Sequence, residues 1–308
     1  MTIVDAHSHL WLKQDTEVNG QPIKTLTPNG SRSLFFGQEV QMLPPFMIDG
    51  RNTAEVFLSN MDYAQVSAAV VVQEFIDGEQ NDYLAQVAQL YPDRFKVCAM
   101  CDFRKPGFLQ QAKTLIESGH YAGMAIPGHR LQLPVGTRHL NDPEFMEMYR
   151  LLEAHDMYLS LCLHEDHSQL SEVEEIVSKN PDLRIAIGHF GMVTYPGWME
   201  QIKLAHHKNV YVESGGITWL FNAEFYPYPS AMQAIRAAAD EVGIEKLMWG
   251  SDYPRTITAI TYKMSYDFVL KSDLLTDDEK RLFLGENAKR FYQFGNLQTL
   301  PYIKNMSE

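Results

Sequence analysis

The sequence has only three cysteines, Cys98, Cys101 and Cys162, in 308 residues. So low and odd a count in a long chain excludes a disulfide framework. Cys98 and Cys101 form a C-x-x-C pair, but it lies inside the apolar run Phe95–Cys101, and no second pair completes a zinc knuckle. Such thiols read as buried and unreactive. Long apolar runs are missing as well, so nothing approaches the length that crosses a bilayer and no membrane is expected as a partner. The opening Met1-Thr2-Ile3-Val4-Asp5-Ala6-His7 has neither a basic n-region nor an apolar h-region. No secretory leader is expected there, and a reducing cytoplasm is the expected location. Positive charge is in deficit, with 26 Lys and Arg against 39 Asp and Glu. The resulting net charge of −13 argues against nucleic acid, because phosphate backbones want a basic face. A few arginines in a pocket can still outweigh that field for a small anion. Finally, no glycine-rich phosphate loop follows the first apolar run, which removes the strongest sequence reason for a doubly wound dinucleotide-binding fold.

What remains is a regular alternation. Short runs rich in β-branched residues occupy Thr2–His7, Val66–Gln73, Phe95–Cys101, Ala122–Ile126, Met157–His164, Arg184–His189, Val210–Glu213 and Lys246–Gly250. Between most of them lie segments of helical period: Thr53–Ala64, Asn81–Leu90, Phe108–Ser118, Pro143–Ala154, Gln169–Ser178 and Ser230–Val242. Strand-then-helix alternation means parallel strands joined by crossover helices. Eight such units in 308 residues suit a closed (β/α)8 TIM barrel, an α/β fold in a single domain over residues 1–308. Two segments depart from the pattern. Residues 11–51 form a long polar insert after the first strand, expected to be a lid or substrate loop. Residues 214–229, after the seventh strand, carry Trp219, Phe221, Phe225, Tyr226 and Tyr228. That loop reads as a ring-binding wall or as a subunit contact compatible with a homodimer.

Parallel barrels do their chemistry at the C-terminal ends of their strands, and the histidines sort by that rule. His120, His155 and the pair His206-His207 sit at or just after helix ends, where imidazolium complements the helix dipole, and they are not site candidates. His7, His9, His164 and His189 sit at strand ends, and Asp252 does the same after Leu247-Met248-Trp249-Gly250-Ser251. One such histidine alone is most simply a hydrogen-bonded structural residue. The whole set on one rim is a poor coincidence and favours a metal site. Imidazoles with one carboxylate suit zinc, manganese or iron over magnesium or calcium.

These residues, in this order, resemble the amidohydrolase superfamily, in the branch called amidohydrolase-2. The matching pieces are Asp5-Ala6-His7-Ser8-His9, then His164, then Gly188-His189-Phe190-Gly191, then Trp249-Gly250-Ser251-Asp252-Tyr253-Pro254. The stretch Leu284-Gly285-Glu286-Asn287-Ala288 is similar to that branch's closing helix. The resemblance implies one divalent metal, zinc first and manganese second, held by His7, His9, His164 and Asp252. It implies His189 as the acid–base residue, and Asp252 is expected to take the proton from the attacking water as well. Members with two metals carry a lysine on the fourth strand, where this chain reads Gly123-Met124-Ala125-Ile126-Pro127. The branch contains lactonases of sugar acids and pyrone dicarboxylates beside decarboxylases of aromatic and muconic acids. Its decarboxylases tend to read H-x-G-E where this chain reads His189-Phe190-Gly191-Met192, so opening of a lactone is the first expectation and non-oxidative decarboxylation the second. A catalytically inactive metal- or ligand-binding barrel is the reading outside enzymology, and an intact His189 counts against it. The expected substrate is a small carboxylated or hydroxylated molecule met by Arg130, Arg255 and Trp219, with Arg32 and Arg51 as weaker candidates.

Overall fold

The computed structural model describes residues 1–131 and 136–308. Among the described residues twelve strands follow one another: β1 (Ile3–Ser8), β2 (Asp15–Val18), β3 (Gln21–Thr25), β4 (Arg32–Phe35), β5 (Gln38–Gln41), β6 (Val66–Val71), β7 (Phe95–Ala99), β8 (Gly123–Pro127), β9 (Tyr158–Cys162), β10 (Arg184–Ile187), β11 (Val210–Glu213) and β12 (Leu247–Met248). β1 and β6 to β12 form one eight-stranded sheet in sequence order, and its paired neighbours run parallel. The last strand returns to the first. Ala6 N–H donates to the Trp249 carbonyl (2.9 Å), Asp252 N–H to His7 (2.9 Å) and His9 N–H to Tyr253 (2.8 Å). The sheet is a closed (β/α)8 TIM barrel.

The strand sequences explain the closure. β1, β6, β8 and β9 are buried at every position, as parallel strands covered on both faces must be. Alternate residues divide between two cores. Val4, Ala6, Ala68, Val70, Cys98, Ala125 and Tyr158 fill the barrel interior, sealed below by Phe291, Tyr292 and Phe294. The outward set packs against the crossover helices. Small residues dominate inside because eight strands leave little room. All three cysteines are buried thiols, and burial pushes the Cys98 thiol up to about 12.

The helices are α1 (Ala54–Tyr63), α2 (Asn81–Leu90), α3 (Phe108–Glu117), α4 (Pro143–Ala154), α5 (Leu170–Lys179), α6 (Met199–Lys203), α7 (Ile217–Leu220), α8 (Pro229–Val242), α9 (Met264–Lys271), α10 (Asp277–Arg281) and α11 (Asn287–Phe291). The six expected segments match α1 to α5 and α8 within a residue or so. Among the described residues no helix is long and apolar enough to cross a membrane.

The insert departs from the loop expected of it. Residues 15–41 form a four-stranded antiparallel sheet, β2-β3-β4-β5. Two of its turns are two-residue loops, Asn19-Gly20 (φ 50° and 75°) and Phe36-Gly37 (φ 48° and 80°). Positive φ at both positions is the type I′ geometry whose twist suits a hairpin. Paired backbone bonds between Trp11 and Asn52 (2.9 and 3.0 Å) close its base. The Asn52 amide also donates to the His9 carbonyl (2.6 Å), tying the insert to the barrel rim.

Candidate functional site

His7 lies near the end of β1 and His9 just beyond it, so strand alternation sends both rings the same way. Their Nε2 atoms are 3.1 Å apart. Asp252 Oδ1 stands 3.2 Å from His9 Nε2 and 3.7 Å from His7 Nε2. These buried residues form the one group among the described residues that could hold a metal ion. Asp252 adopts a left-handed backbone, φ 58°, a conformation that costs a non-glycine residue roughly 1–3 kcal/mol. The buried Asp5 carboxylate helps impose it, accepting from the N–H and hydroxyl of Ser251 and from the Tyr262 hydroxyl. Burial raises the Asp5 pKa to about 6, although those donors oppose the rise.

Each imidazole is backed by a carboxylate. His7 Nδ1 meets Glu213 Oε1 at 2.7 Å, and His9 Nδ1 meets Asp77 Oδ2 at 2.6 Å. A carboxylate only accepts, so both Nδ1 atoms carry the hydrogen, and in the neutral rings that a metal requires both Nε2 atoms present lone pairs. Two lone pairs facing each other at 3.1 Å beside a carboxylate repel unless a cation lies among them. The spacings also fit one. Ligand atoms placed tetrahedrally about 2.0–2.2 Å from zinc are about 3.3–3.6 Å apart. Burial lowers the His9 pKa, but Asp77 and Asp252 outweigh it and raise it well above its usual range. The local field thus favours positive charge. Gly215 and Gly250 make room for this packing, because a Cβ on either would stand 2.8 Å from a His7 side-chain atom.

His189 follows β10 and packs its ring 4.7 Å from that of His7. Its Nδ1 donates to the Gly215 carbonyl (2.8 Å), which leaves Nε2 bare. Burial and the neighbouring His7 lower its pKa, Asp252 opposing. Trp219 does more than form a wall, since its indole N–H donates to Asp252 Oδ2 (2.6 Å). The Arg255 guanidinium stacks 3.7 Å above the same indole. Across the rim, Arg130 Nε donates to buried Glu74 (2.7 Å). The Phe36 ring of the insert lies 5.5 Å from that guanidinium. His7, His9, Asp252, His189, Trp219, Arg255, Arg130 and Glu74 line a cavity of about 320 Å³, to which Trp11 and Met42 also contribute.

The structure brings three of the four expected ligands together and leaves His164 apart from them. β9 ends at Cys162, so the chain has already left the barrel wall two residues later. The His164 ring turns to Asp166, with Nδ1 3.1 Å from Oδ1, and it stands outside the His7–His9–Asp252 group. Arg32 pairs with Glu39 inside the insert, and Arg51 borders a separate surface hollow. Sequence reasoning missed Asp77, Glu213, Glu74 and His129. Glu213 was open to discovery, as a carboxylate at the end of a barrel strand. Asp77 sits in a short turn with no sequence signature of burial.

The sequence model of the amidohydrolase family matches residues 4–294. The L-fucono-1,5-lactonase of Burkholderia ambifaria is 25% identical over 198 residues, 61% of this chain and 65% of that enzyme, so the match spans a little under two thirds of the relative's length. Solved structures share the fold at lower identity. A probable 2-pyrone-4,6-dicarboxylic acid hydrolase of Acinetobacter baumannii, with citric acid bound, is 20% identical with a TM-score of 0.66, covering 96% of this chain and 100% of that one. An amidohydrolase of Burkholderia multivorans with bound zinc is 19% identical at a TM-score of 0.68, covering 95% and 99%. The 5-carboxyvanillate decarboxylase of Sphingomonas paucimobilis is 17% identical at 0.58, covering 81% and 86%. A family match over nearly the whole length, on a closed barrel with a buried His-His-Asp cluster at its C-terminal rim, makes this chain a member of the amidohydrolase family.

Proposed function

We propose that the protein is a metal-dependent hydrolase that opens a lactone of a sugar acid or related carboxylated compound. The observation that carries this reading is the convergence of His7 Nε2, His9 Nε2 and Asp252 Oδ1 within 3.7 Å of one another, beside the bare Nε2 of His189. When bound there, a divalent ion, zinc first and manganese second, supplies a Lewis acid for the substrate carbonyl and eases deprotonation of water. Asp252 takes a proton from the attacking water, oriented by the indole of Trp219. The water oxygen joins the carbonyl carbon and the bond to the ring oxygen breaks. Because His189 rests with Nε2 unprotonated, it first receives that proton and then delivers it to the departing ring oxygen. The product is the open hydroxy acid. Arg130, Arg255 and Trp219 hold the remainder of the substrate.

The test is direct. Purified protein should contain about one zinc or manganese per chain, and a chelator should abolish lactone opening. That opening is read as acid release without CO2. Release of CO2 from an aromatic or muconic acid, with no lactone opened, would assign decarboxylation instead. Binding of metal and ligand without turnover of either class would make the barrel a binding protein.

A further inference from the structure

Beside Arg130 stands a carboxylate to which the proposed reaction gives no task. Glu74 follows β6 by three residues and lines the cavity. Its side chain is held at one oxygen. Oε1 accepts from the Phe75 N–H (2.8 Å) and from Arg130 Nε (2.7 Å), whereas Oε2 takes no hydrogen bond among the described residues. The Glu74 N–H donates to Asp77 Oδ2 (3.1 Å), the same oxygen that holds His9 (2.6 Å). The backbone of Glu74 is thus tied to the support of the metal cluster. The side chain is mostly buried but not sealed, with 10% of its surface accessible. Burial raises the Glu74 pKa, Arg130 opposing. A carboxylate stripped of water with one oxygen unfilled is a strong acceptor for a hydroxyl. Arg130 gives Nε alone to this pair, and its two Nη groups take no partner among the described residues. One charged acceptor therefore sits next to several charged donors, and the pair carries no net charge.

We infer that Glu74 is a substrate-binding residue whose Oε2 accepts a ring hydroxyl of an uncharged, polyhydroxylated lactone, while the Nη groups of Arg130 donate to a neighbouring oxygen. This rests on the lactonase reading and narrows it. A hydroxyl both donates and accepts, as this pair requires, whereas a carboxylate only accepts and would be repelled by Glu74. The rest of the lining points the same way. Its charged side chains among the described residues are the carboxylates of Glu74, Asp77, Glu165 and Asp252 and the guanidiniums of Arg130 and Arg255. Around neutral imidazoles a divalent ion only brings that set to neutrality, and Glu213 behind His7 tips it negative. A guest with two carboxylates would find no surplus positive charge to offset its desolvation. The lactone of a simple sugar acid has used up the acid's carboxylate in closing its ring, so it fits. A dicarboxylated pyrone does not.

The experiment compares the zinc-loaded wild type with Glu74→Gln and Glu74→Asp on L-fucono-1,5-lactone and unsubstituted δ-valerolactone, with 2-pyrone-4,6-dicarboxylate as competitor. Gln keeps an oxygen for Phe75 and Arg130 but turns the second position from acceptor to donor. Asp keeps the charge and draws the acceptor back by one methylene. The wild type should prefer the hydroxylated ring. Glu74→Gln should reduce that preference about ten- to a hundredfold, through KM, the size of a hydrogen bond to a charged group. Glu74→Asp should reduce it as well. The dicarboxylate should bind Glu74→Gln about threefold or more tightly than the wild type, because Arg130 is left uncompensated, and Glu74→Asp no more tightly. Each preference compares two substrates on one protein, so a misfolded fraction cancels. An unchanged preference in Glu74→Gln, an equal loss on both lactones, a competitor that binds Glu74→Gln no better than the wild type, or a wild type that favours the dicarboxylated pyrone overturns the assignment. Should the wild type open no lactone, the lactonase reading fails by itself. The role of Glu74 is then decided by titrating L-fucose, an uncharged hydroxylated ring with no lactone bond, into wild type and Glu74→Gln. Tenfold weaker binding by the variant supports it, and equal affinity or binding by neither overturns it.

Discussion

On the β1–β12 side of the cavity each of the three clustered side chains has a fixed partner. Glu213 holds His7, Asp77 holds His9 and Trp219 holds Asp252, at 2.6 to 2.7 Å. On the β8 side, His129 has a nitrogen with no partner and Arg130 gives a single donor to Glu74. The first side is preorganised in the way metal sites require, where ligand orientation is set by groups behind the ligands. The second is held by fewer bonds, and the guanidinium of Arg130 has further donors to offer a substrate. One rim of the barrel thus suits a resident ion and the other a substrate that comes and goes.

The contrast can be broken most severely at the ion. Asp252→Ala should remove the one carboxylate ligand, empty the site by metal analysis and lower turnover at least about a thousandfold, the loss of both metal and base chemistry. An Asp252→Ala protein that keeps its metal and most of its activity would falsify the assignment. His189→Asn should act differently, cutting kcat about a hundredfold or more while metal content stays close to one per chain. If it empties the site, His189 is a ligand. Glu213→Gln tests the backing of His7 and should weaken metal affinity about ten- to a hundredfold, measured by competition with a chromogenic chelator. Trp219→Phe keeps a ring beneath Arg255 but removes the donor to Asp252. It should lower kcat/KM about tenfold, and an unchanged value would return Trp219 to the role of a plain wall.

How much of this was legible in the sequence depended on where burial is decided. Val66–Val71 announces itself as strand because its apolar run needs no partner to be recognised, and the same holds for the other barrel strands. His7, His9 and Asp252 were legible because strand ends deliver side chains to one rim. At His164 the same rule meets a shorter strand, since β9 stops at Cys162 and the imidazole turns to Asp166. Lys246–Gly250 shortens to Leu247–Met248 because pairing with β11 ends at Met248, beyond which the chain bonds to β1 at separate points through Trp249, Asp252 and Tyr253. Asp77 and Glu213 look like ordinary surface charges until the fold buries them behind histidines. The insert carried its own signal, since Asn19-Gly20 is a strong hairpin pair. Polar neighbours such as Asp15-Thr16-Glu17 hide the alternation that would have exposed the strands around it.

The smallest effect is expected where the insert meets the substrate side. Phe36 occupies the first turn position between β4 and β5, with a positive φ of 48°, and its ring lies 5.5 Å from the Arg130 guanidinium. An aromatic residue is a poor choice for that backbone, whereas Asn-Gly is the pair a type I′ turn prefers. The ring must therefore be kept for its contact and not for the turn. Cation–π contacts at exposed sites contribute about 0.5–1 kcal/mol. Phe36→Asn should accordingly leave the melting temperature unchanged or slightly raised while KM for the lactone rises about two- to fivefold and kcat does not move. An unchanged KM would show that the Phe36 ring does not act on substrate through Arg130.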